Sequence, residues 1–173
     1  ETIEIHSLRD GEEVDEWETV MTIEGDYADF AHLETIYLGI LARQSRIATN
    51  VRRVVKAANG KPVLFFPARY DIYQTQESDG YAALVGGIHG FSTDANALAA
   101  GGKGLGTIPH ALIASYKGDT VAATEAFDKY VDPSIARIAL VDFDNDCVNT
   151  SLAVARKLGK KLAGVRLDTS GSM

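Results

Sequence analysis

Residues 137–168 read RIALVDFDNDCVNTSLAVARKLGKKLAGVRLD, and the order of their periodicities decides the fold. RIALVDF is a short, nearly continuous apolar run, the pattern of a strand buried on both faces. CVNTSLAVARKLGKK follows with helical spacing, placing Leu152, Ala155 and Leu158 on one expected buried side. LAGVRLD then returns to a strand pattern. Strand, helix and strand in this order form a βαβ unit, in which two parallel strands are joined by a helix crossing one face.

Working outward, the same alternation continues. VLFFPAR, residues 63–69, predicts a buried strand ending at Arg69, DGYAALVGGIHG a helix, and GFSTD a strand end. ANALAAGGKG predicts a small-residue helix closed by glycines, LGTI a strand, and TVAATEAFDKYV a helix capped at Asp119-Thr120. Near the start, TIEIHS and WETVMTIEG alternate loosely around the acidic turn RDGEEVDE and predict two or three strands. From Asp26 the period becomes helical: Phe30, Leu33, Tyr37, Ile40 and Leu41, then Ile47, Val51, Val54 and Val55, share a face up to Asn59-Gly60, with a bend expected near Gly39 or Ser45. The whole is an α/β pattern with a parallel sheet and helices outside it, an arrangement whose ligand sites lie beyond the carboxyl ends of the strands.

Composition narrows the function classes. With 46% hydrophobic and 24% charged residues over 173 positions, a single well-cored globular domain is feasible and disorder is not needed. The apolar runs fall well short of a membrane span, so a cytoplasmic protein is expected. Residues 1–26 hold ten of the 24 acidic residues and one base, Arg9, which leaves sixteen bases against fourteen acids elsewhere. No basic stripe interleaved with aromatics is present, which argues against nucleic acid as a partner. A single cysteine, Cys147, excludes an intrachain disulfide and a cysteine-built zinc site. Beginning at Glu1 and stopping just after a strand, the chain reads as a piece of a longer one.

The predicted strand ends carry Arg69, then Ser92, Thr93 and Asp94, then Thr107 and His110, then Asp142, Asp144 and Asp146, then Arg166, Asp168 and Thr169. Two arginines, several carboxylates, hydroxyls and one histidine suit an anionic, hydroxyl-rich substrate and a divalent cation held by oxygen. His110, in GTIPHALI, is open to three readings: a packed core residue, a metal ligand, or a group exchanging protons or phosphate. Asp142 at another strand end makes an Asp-His pair geometrically possible. DFDNDC fails as a calcium loop, because Cys147 and Ala153 stand where Gly and Glu are needed. It partly fits an aspartate-nucleophile phosphatase, with Asp142 and Asp144 as nucleophile and acid. GGKGLG fails as a phosphate loop, since Ala97 and Gly104 replace the required Gly and Ser or Thr. Arg166-Leu167-Asp168 is either a salt bridge or a cation and acid serving a phosphate and a sugar hydroxyl.

Taken in order, EGDYADFAHLETIYLGILARQSRIATNVRR, FFPAR, GGIHGFSTDANALAA, GTIPHALI, LVDFDND and GVRLDTS resemble the nicotinate phosphoribosyltransferases of the shorter archaeal and bacterial type. The resemblance implies an irregular α/β barrel of the type II phosphoribosyltransferases joined to a smaller α/β domain. On that reading residues 1–26 supply strands of the smaller domain, 27–60 a helical linker and dimer contact, and 61–173 part of the barrel. It further implies a homodimer or larger homo-oligomer with shared active sites. The implied reaction joins nicotinate to phosphoribosyl pyrophosphate, with ATP phosphorylating His110 and Mg2+ accompanying the pyrophosphate.

By the same resemblance Asp142 neighbours His110, Asp168 lies near the ribose, Arg69 and Arg166 handle anionic groups of the substrates, Thr93 and Asp94 lie near the pyridine, and Thr169 is a further substrate-binding residue. Three positions depart from the family pattern. Tyr70 stands in place of a second arginine, Asp94 in place of an asparagine, and DTSGS in place of DSGD. An aspartate at 94 resembles the nicotinamide phosphoribosyltransferases, so nicotinamide is the alternative base. A phosphatase or an inactive oligomerisation scaffold are the alternatives of another class. The family's amino-terminal pyridine-stacking tyrosine and its later glycine-rich barrel turns have no counterpart here, and the piece alone is expected to be inactive.

Overall fold

In the computed structural model the described residues are 2–67 and 69–169. The chain divides into two compact units, residues 1–104 and 105–173, both of mixed α/β character.

The first unit opens with strands β1 (Glu4–Ser7) and β2 (Met21–Glu24), paired antiparallel from Glu4 opposite Glu24 to Ser7 opposite Met21. The acidic stretch between them is tied down rather than loose. Tyr81 donates its hydroxyl to the Asp10 carboxylate, and Arg52 binds Glu13 at 3.1 Å and the carbonyl of Gly11 at 3.1 Å. The hydrogen bond to Asp10, reinforced by that carboxylate's charge, pushes the Tyr81 phenol up from its ordinary value.

Helix α1 (Tyr27–Phe30) begins where Asp26 accepts the N–H of Ala28, and a 3-10 turn over Ala31–Leu33 leads into the long helix α2 (Glu34–Ala57). The expected bend at Gly39 or Ser45 is absent. α2 runs unbroken, and the interruption comes earlier, at the 3-10 turn. Strand β3 (Leu64–Phe65) pairs parallel with β4 (Gly90–Phe91), with helix α3 (Gln76–Val85) between them. The predicted strand over 63–69 is therefore shorter than its apolar run, because Pro67 cannot donate to a ladder and Tyr70 N–H turns back to its carbonyl at 2.7 Å. Ala68 of that stretch lies outside the described residues.

Val51, Ala83, Ile88, Phe91 and Ala97 form this unit's core. Helix α3 approaches helix α4 (Asp94–Ala97) so closely that a Cβ on Gly80 would lie 2.0 Å from the carbonyl oxygen of Asn96. Asp79 on α3 is 1% exposed, and Arg43 of α2 forks onto both its oxygens at 2.8 Å. That pairing, with Asp71 adding a second carboxylate, drives the Arg43 guanidinium well above its ordinary value.

The second unit holds the βαβ element expected from 137–168. Strand β5 (Arg137–Leu140) and strand β6 (Leu162–Arg166) pair parallel, joined by helix α7 (Cys147–Leu158). Helix α5 (His110–Ser115) and helix α6 (Thr120–Tyr130) complete it, the latter capped by Asp119 accepting from Ala122 N–H at 2.9 Å. Its core is Ile108, Ile113, Ala123, Ala139, Leu140, Val141, Val154 and Leu158.

Two expectations change here. The LGTI segment forms no ladder; Ile108 gives a single N–H to the carbonyl of Ile138 at 3.3 Å, and Pro109 next in line has no N–H to continue. The buried side of α7 is Val154 and Leu158, while Leu152 is 49% exposed and Ala155 is exposed too. Among the described residues the strands form three two-stranded ladders, and no closed barrel is present.

Candidate functional site

The carboxyl ends of β5 and β6 bring together five of the residues singled out from sequence. Past β5 the chain runs through Val141, whose N–H still bonds the carbonyl of Arg166 at 3.2 Å, to Asp142, which is 7% exposed. The ladder ends there, so the backbone N–H groups beyond β6 need other acceptors. One oxygen of Asp142 supplies them, accepting from Asp168 N–H at 2.5 Å and Thr169 N–H at 2.7 Å. The other oxygen, Oδ1, is buried with no hydrogen-bond partner among the described residues. Burial pushes this carboxyl up, but the bonds from Thr169 and Asp168 outweigh it and hold the group below the ordinary carboxylate value.

His110 is the first residue of α5, following the extended Pro109. Its Nδ1 lies 3.6 Å from Asp168 Oδ2, close enough for charge interaction but too far for a hydrogen bond, and its Nε2 lies 3.4 Å from Thr169 Oγ1. Phe143 packs beside the ring, with centroids 6.3 Å apart. The carboxylate adjacent to the imidazole is thus Asp168, whereas Asp142 was the expected partner. Asp142 is engaged instead with the turn that carries Asp168.

Arg166, at the end of β6, is fixed from two directions. Its Nη2 lies 2.5 Å from Asp168 Oδ2, and its Nη1 donates to Thr107 Oγ1 at 2.8 Å. An imidazole, a guanidinium and a shared carboxylate therefore form one connected group, partly open to solvent: the side chains of His110, Arg166 and Asp168 are 36%, 20% and 35% exposed. Ser170 lies outside the described residues. Asp144 and Asp146 serve local structure, Asp146 accepting from Asn149 N–H at 3.3 Å to cap α7 and Asp144 accepting from Asp146 N–H at 3.2 Å.

Arg69, Thr93 and Asp94 belong to the first unit. Arg69 is exposed in the turn after Pro67 rather than at the end of a strand. Thr93 caps α4, its Oγ1 accepting from Asn96 N–H at 3.1 Å and bonding Gln76 Oε1 at 2.8 Å. Asp94 Oδ1 accepts the N–H of Gly104 at 2.7 Å, so this carboxylate anchors the glycine-rich 101–104 segment. Gly104 is needed there, since a Cβ would fall 2.6 Å from the Thr93 carbonyl carbon.

Sequence reasoning also missed Arg137, a buried arginine that binds Asp128 at 3.0 Å and four backbone carbonyls. Its only signal was a base opening an otherwise apolar strand. Among the described residues the one group of potential metal ligands that converges is Glu4, His6 and Glu24, all exposed on the β1–β2 ladder. No helix among the described residues is long and apolar enough to cross a membrane.

Residues 2–45 match the family described as quinolinate phosphoribosyl transferase, N-terminal domain. The chain is 30% identical to nicotinate phosphoribosyltransferase of Bacillus subtilis, over 95% of this chain and 34% of that protein. It is 31% identical to a nicotinate phosphoribosyltransferase of Mycobacterium tuberculosis, over 87% of this chain and again 34% of that protein. A crystal structure of nicotinate-nucleotide pyrophosphorylase from Pyrococcus furiosus superposes with a TM-score of 0.91 at 41% identity, covering 98% of this chain and 43% of that one. The chain thus spans about a third of the length of the curated relatives it matches. All of these likenesses are to proteins named as phosphoribosyltransferases or as a nicotinate-nucleotide pyrophosphorylase.

Proposed function

We propose that this chain is part of a nicotinate phosphoribosyltransferase, which joins nicotinate to phosphoribosyl pyrophosphate to give nicotinate mononucleotide and pyrophosphate, coupled to ATP hydrolysis. The observation that carries the reading is the connected group of His110, Asp168 and Arg166 beyond β5 and β6. With Nδ1–H turned towards Asp168, Nε2 keeps its lone pair and can attack the γ-phosphorus of ATP, releasing ADP and leaving a phosphohistidine. Thr169, whose hydroxyl proton can point to Nε2 or to the carbonyl of Asp142 at 3.3 Å, changes partner without moving. Phosphorylation adds nearly two negative charges beside Arg166 and Asp168, which couples ATP use to binding of an anionic substrate.

Displacement at the anomeric carbon builds positive charge on the ribose and negative charge on the departing pyrophosphate. Asp168 near the sugar and Arg166 near an anionic group then stabilise the transition state more than the ground state. Mg2+ would accompany the pyrophosphate. The whole protein forms the type II barrel and works as a homo-oligomer. Since Asp142 is buried and bonded to two backbone N–H groups, it is poorly placed as a phosphatase nucleophile.

The quinolinate type is the second reading, favoured by the match over residues 2–45. Incubation of the full-length protein with γ-labelled ATP tests between them. Acid-labile label that is lost in His110→Ala, together with nicotinate turnover, is expected. Absence of label with consumption of quinolinate would replace the first reading by the second.

A further inference from the structure

Glu4, His6 and Glu24 take no part in the reaction proposed above, yet the ladder gathers them. Glu4 is directly opposite Glu24, and His6 lies two residues along β1 from Glu4. Side chains at such positions emerge on one face of an antiparallel pair. A ring nitrogen of His6 and one oxygen of each glutamate all lie within 4.8 Å of one another, with His6 Nε2 3.0 Å from Glu4 Oε1. The strands that present them are held in place. Leu8 N–H continues the ladder to the carbonyl of Val20 at 3.0 Å, and Tyr81 and Arg52 tie down the connection through Asp10 and Glu13.

Two like charges directly opposite one another destabilise a ladder. Among the described residues no lysine or arginine pairs with Glu4 or Glu24. His6 is the one base at hand, and a neutral imidazole offers a lone pair rather than a positive charge. A divalent cation meets both conditions, supplying the charge and accepting the lone pairs. One nitrogen and two carboxylate oxygens suit Zn2+ and its transition-metal neighbours, whereas Mg2+ and Ca2+ favour sites made wholly of oxygen. With metal–ligand bonds of about 2.1 Å, tetrahedral ligands sit about 3.4 Å apart. Rotation of exposed glutamate side chains covers that difference.

We propose that Glu4, His6 and Glu24 form a surface site for one divalent ion of the Zn2+ class, which bridges β1 and β2 and neutralises the opposed glutamates. Water completes its coordination. The site is independent of which reaction the protein catalyses.

The test titrates Zn2+ into the chelator-treated full-length protein by calorimetry, with His6→Ala and Glu24→Gln beside wild type and Mg2+ as competitor. Glu24→Gln is the informative variant, because it removes a ligand and leaves the pair of His6 and Glu4 intact. All three side chains are exposed, so neither substitution disturbs a core. Zn2+ held elsewhere in the molecule is common to the three proteins and subtracts. One equivalent is expected to disappear in His6→Ala and to bind at least about tenfold more weakly in Glu24→Gln, since losing even an outer partner of a metal costs that much. Equal stoichiometry and affinity in all three proteins would overturn the site. A loss in His6→Ala with no change in Glu24→Gln would overturn the bridge between the strands. Displacement of Zn2+ by an equal concentration of Mg2+ would overturn the class of ion.

Discussion

Replacing Asp142 by asparagine tests the idea that one carboxylate holds the turn after β6. Its oxygen accepts two backbone N–H groups, at 2.5 and 2.7 Å, in a site that is 7% exposed. Bonds to a charged acceptor contribute about 1.5 kcal/mol each and bonds to a neutral one about 1, so neutralising the acceptor loses about 1 kcal/mol. The asparagine NH2 would occupy the buried Oδ1 position, where no partner waits among the described residues, at a further cost of about 1 to 2 kcal/mol. Relief of the buried charge offsets part of this, leaving a net destabilisation of about 2 kcal/mol. With a urea slope of about 2 kcal/mol per molar, the unfolding midpoint falls by about 1 M.

The pH dependence carries the sign. The folded-state carboxyl is held below its ordinary value by the N–H bonds, so its contribution is fully present above the unfolded value of about 3.9 and is lost as pH falls through the lower folded value. The gap between wild type and Asp142→Asn, followed by urea unfolding, therefore narrows only below about pH 4. An asparagine variant within about 0.5 kcal/mol of wild type at pH 7, or a gap that stays constant from pH 7 to pH 3, would refute the argument.

Other outcomes follow from the first unit and from the site. Arg43→Ala leaves Asp79 buried and unpaired and is expected to destabilise by about 3 kcal/mol in urea unfolding; a loss below 1 kcal/mol would show that the pair is dispensable. Asp94→Ala releases the N–H of Gly104, a loss of about 1 kcal/mol, so tryptic cleavage after Lys103 should quicken about fivefold, while Asp94→Asn, which keeps an acceptor, should not change it. Equal cleavage in all three proteins would remove the anchoring role. In the full-length protein His110→Ala should abolish the acid-labile phosphate formed with γ-labelled ATP.

The βαβ core was legible because its signals are local. An apolar run, a 3.6-residue period and a second apolar run each declare their element without help from distant residues. The side of α7 that meets the core was not, because Val148, Leu152, Val154, Ala155 and Leu158 offer two overlapping apolar faces. Only the neighbours decide which one is covered. LGTI has a strand's composition, but whether it pairs depends on a partner edge, and Pro109 ends the attempt after one bond.

At the site, the polar residues at predicted strand ends include His110, Asp142, Arg166, Asp168 and Thr169, which lie together, and Asp144 and Asp146, which hold local structure. What sequence reasoning misjudged was which acid faces the ring, because a carboxylate's partner is set by unpaired N–H groups that the sequence does not display. Arg43 with Asp79, Asp94 with Gly104 and Thr107 with Arg166 are 36, 10 and 59 positions apart. No short motif spans such separations.

Arg166 and Asp168 touch because a single residue, Leu167, separates them, and an extended chain presents alternate side chains on the same side. Parity therefore governs this corner of the molecule. Deleting Leu167, or inserting one residue beside it, would turn the acid away from the guanidinium and the imidazole together, however conservative the residue chosen. Natural length variation among relatives should accordingly avoid this point, and gather in the acidic connection between β1 and β2, where anchoring comes from long, adaptable side chains.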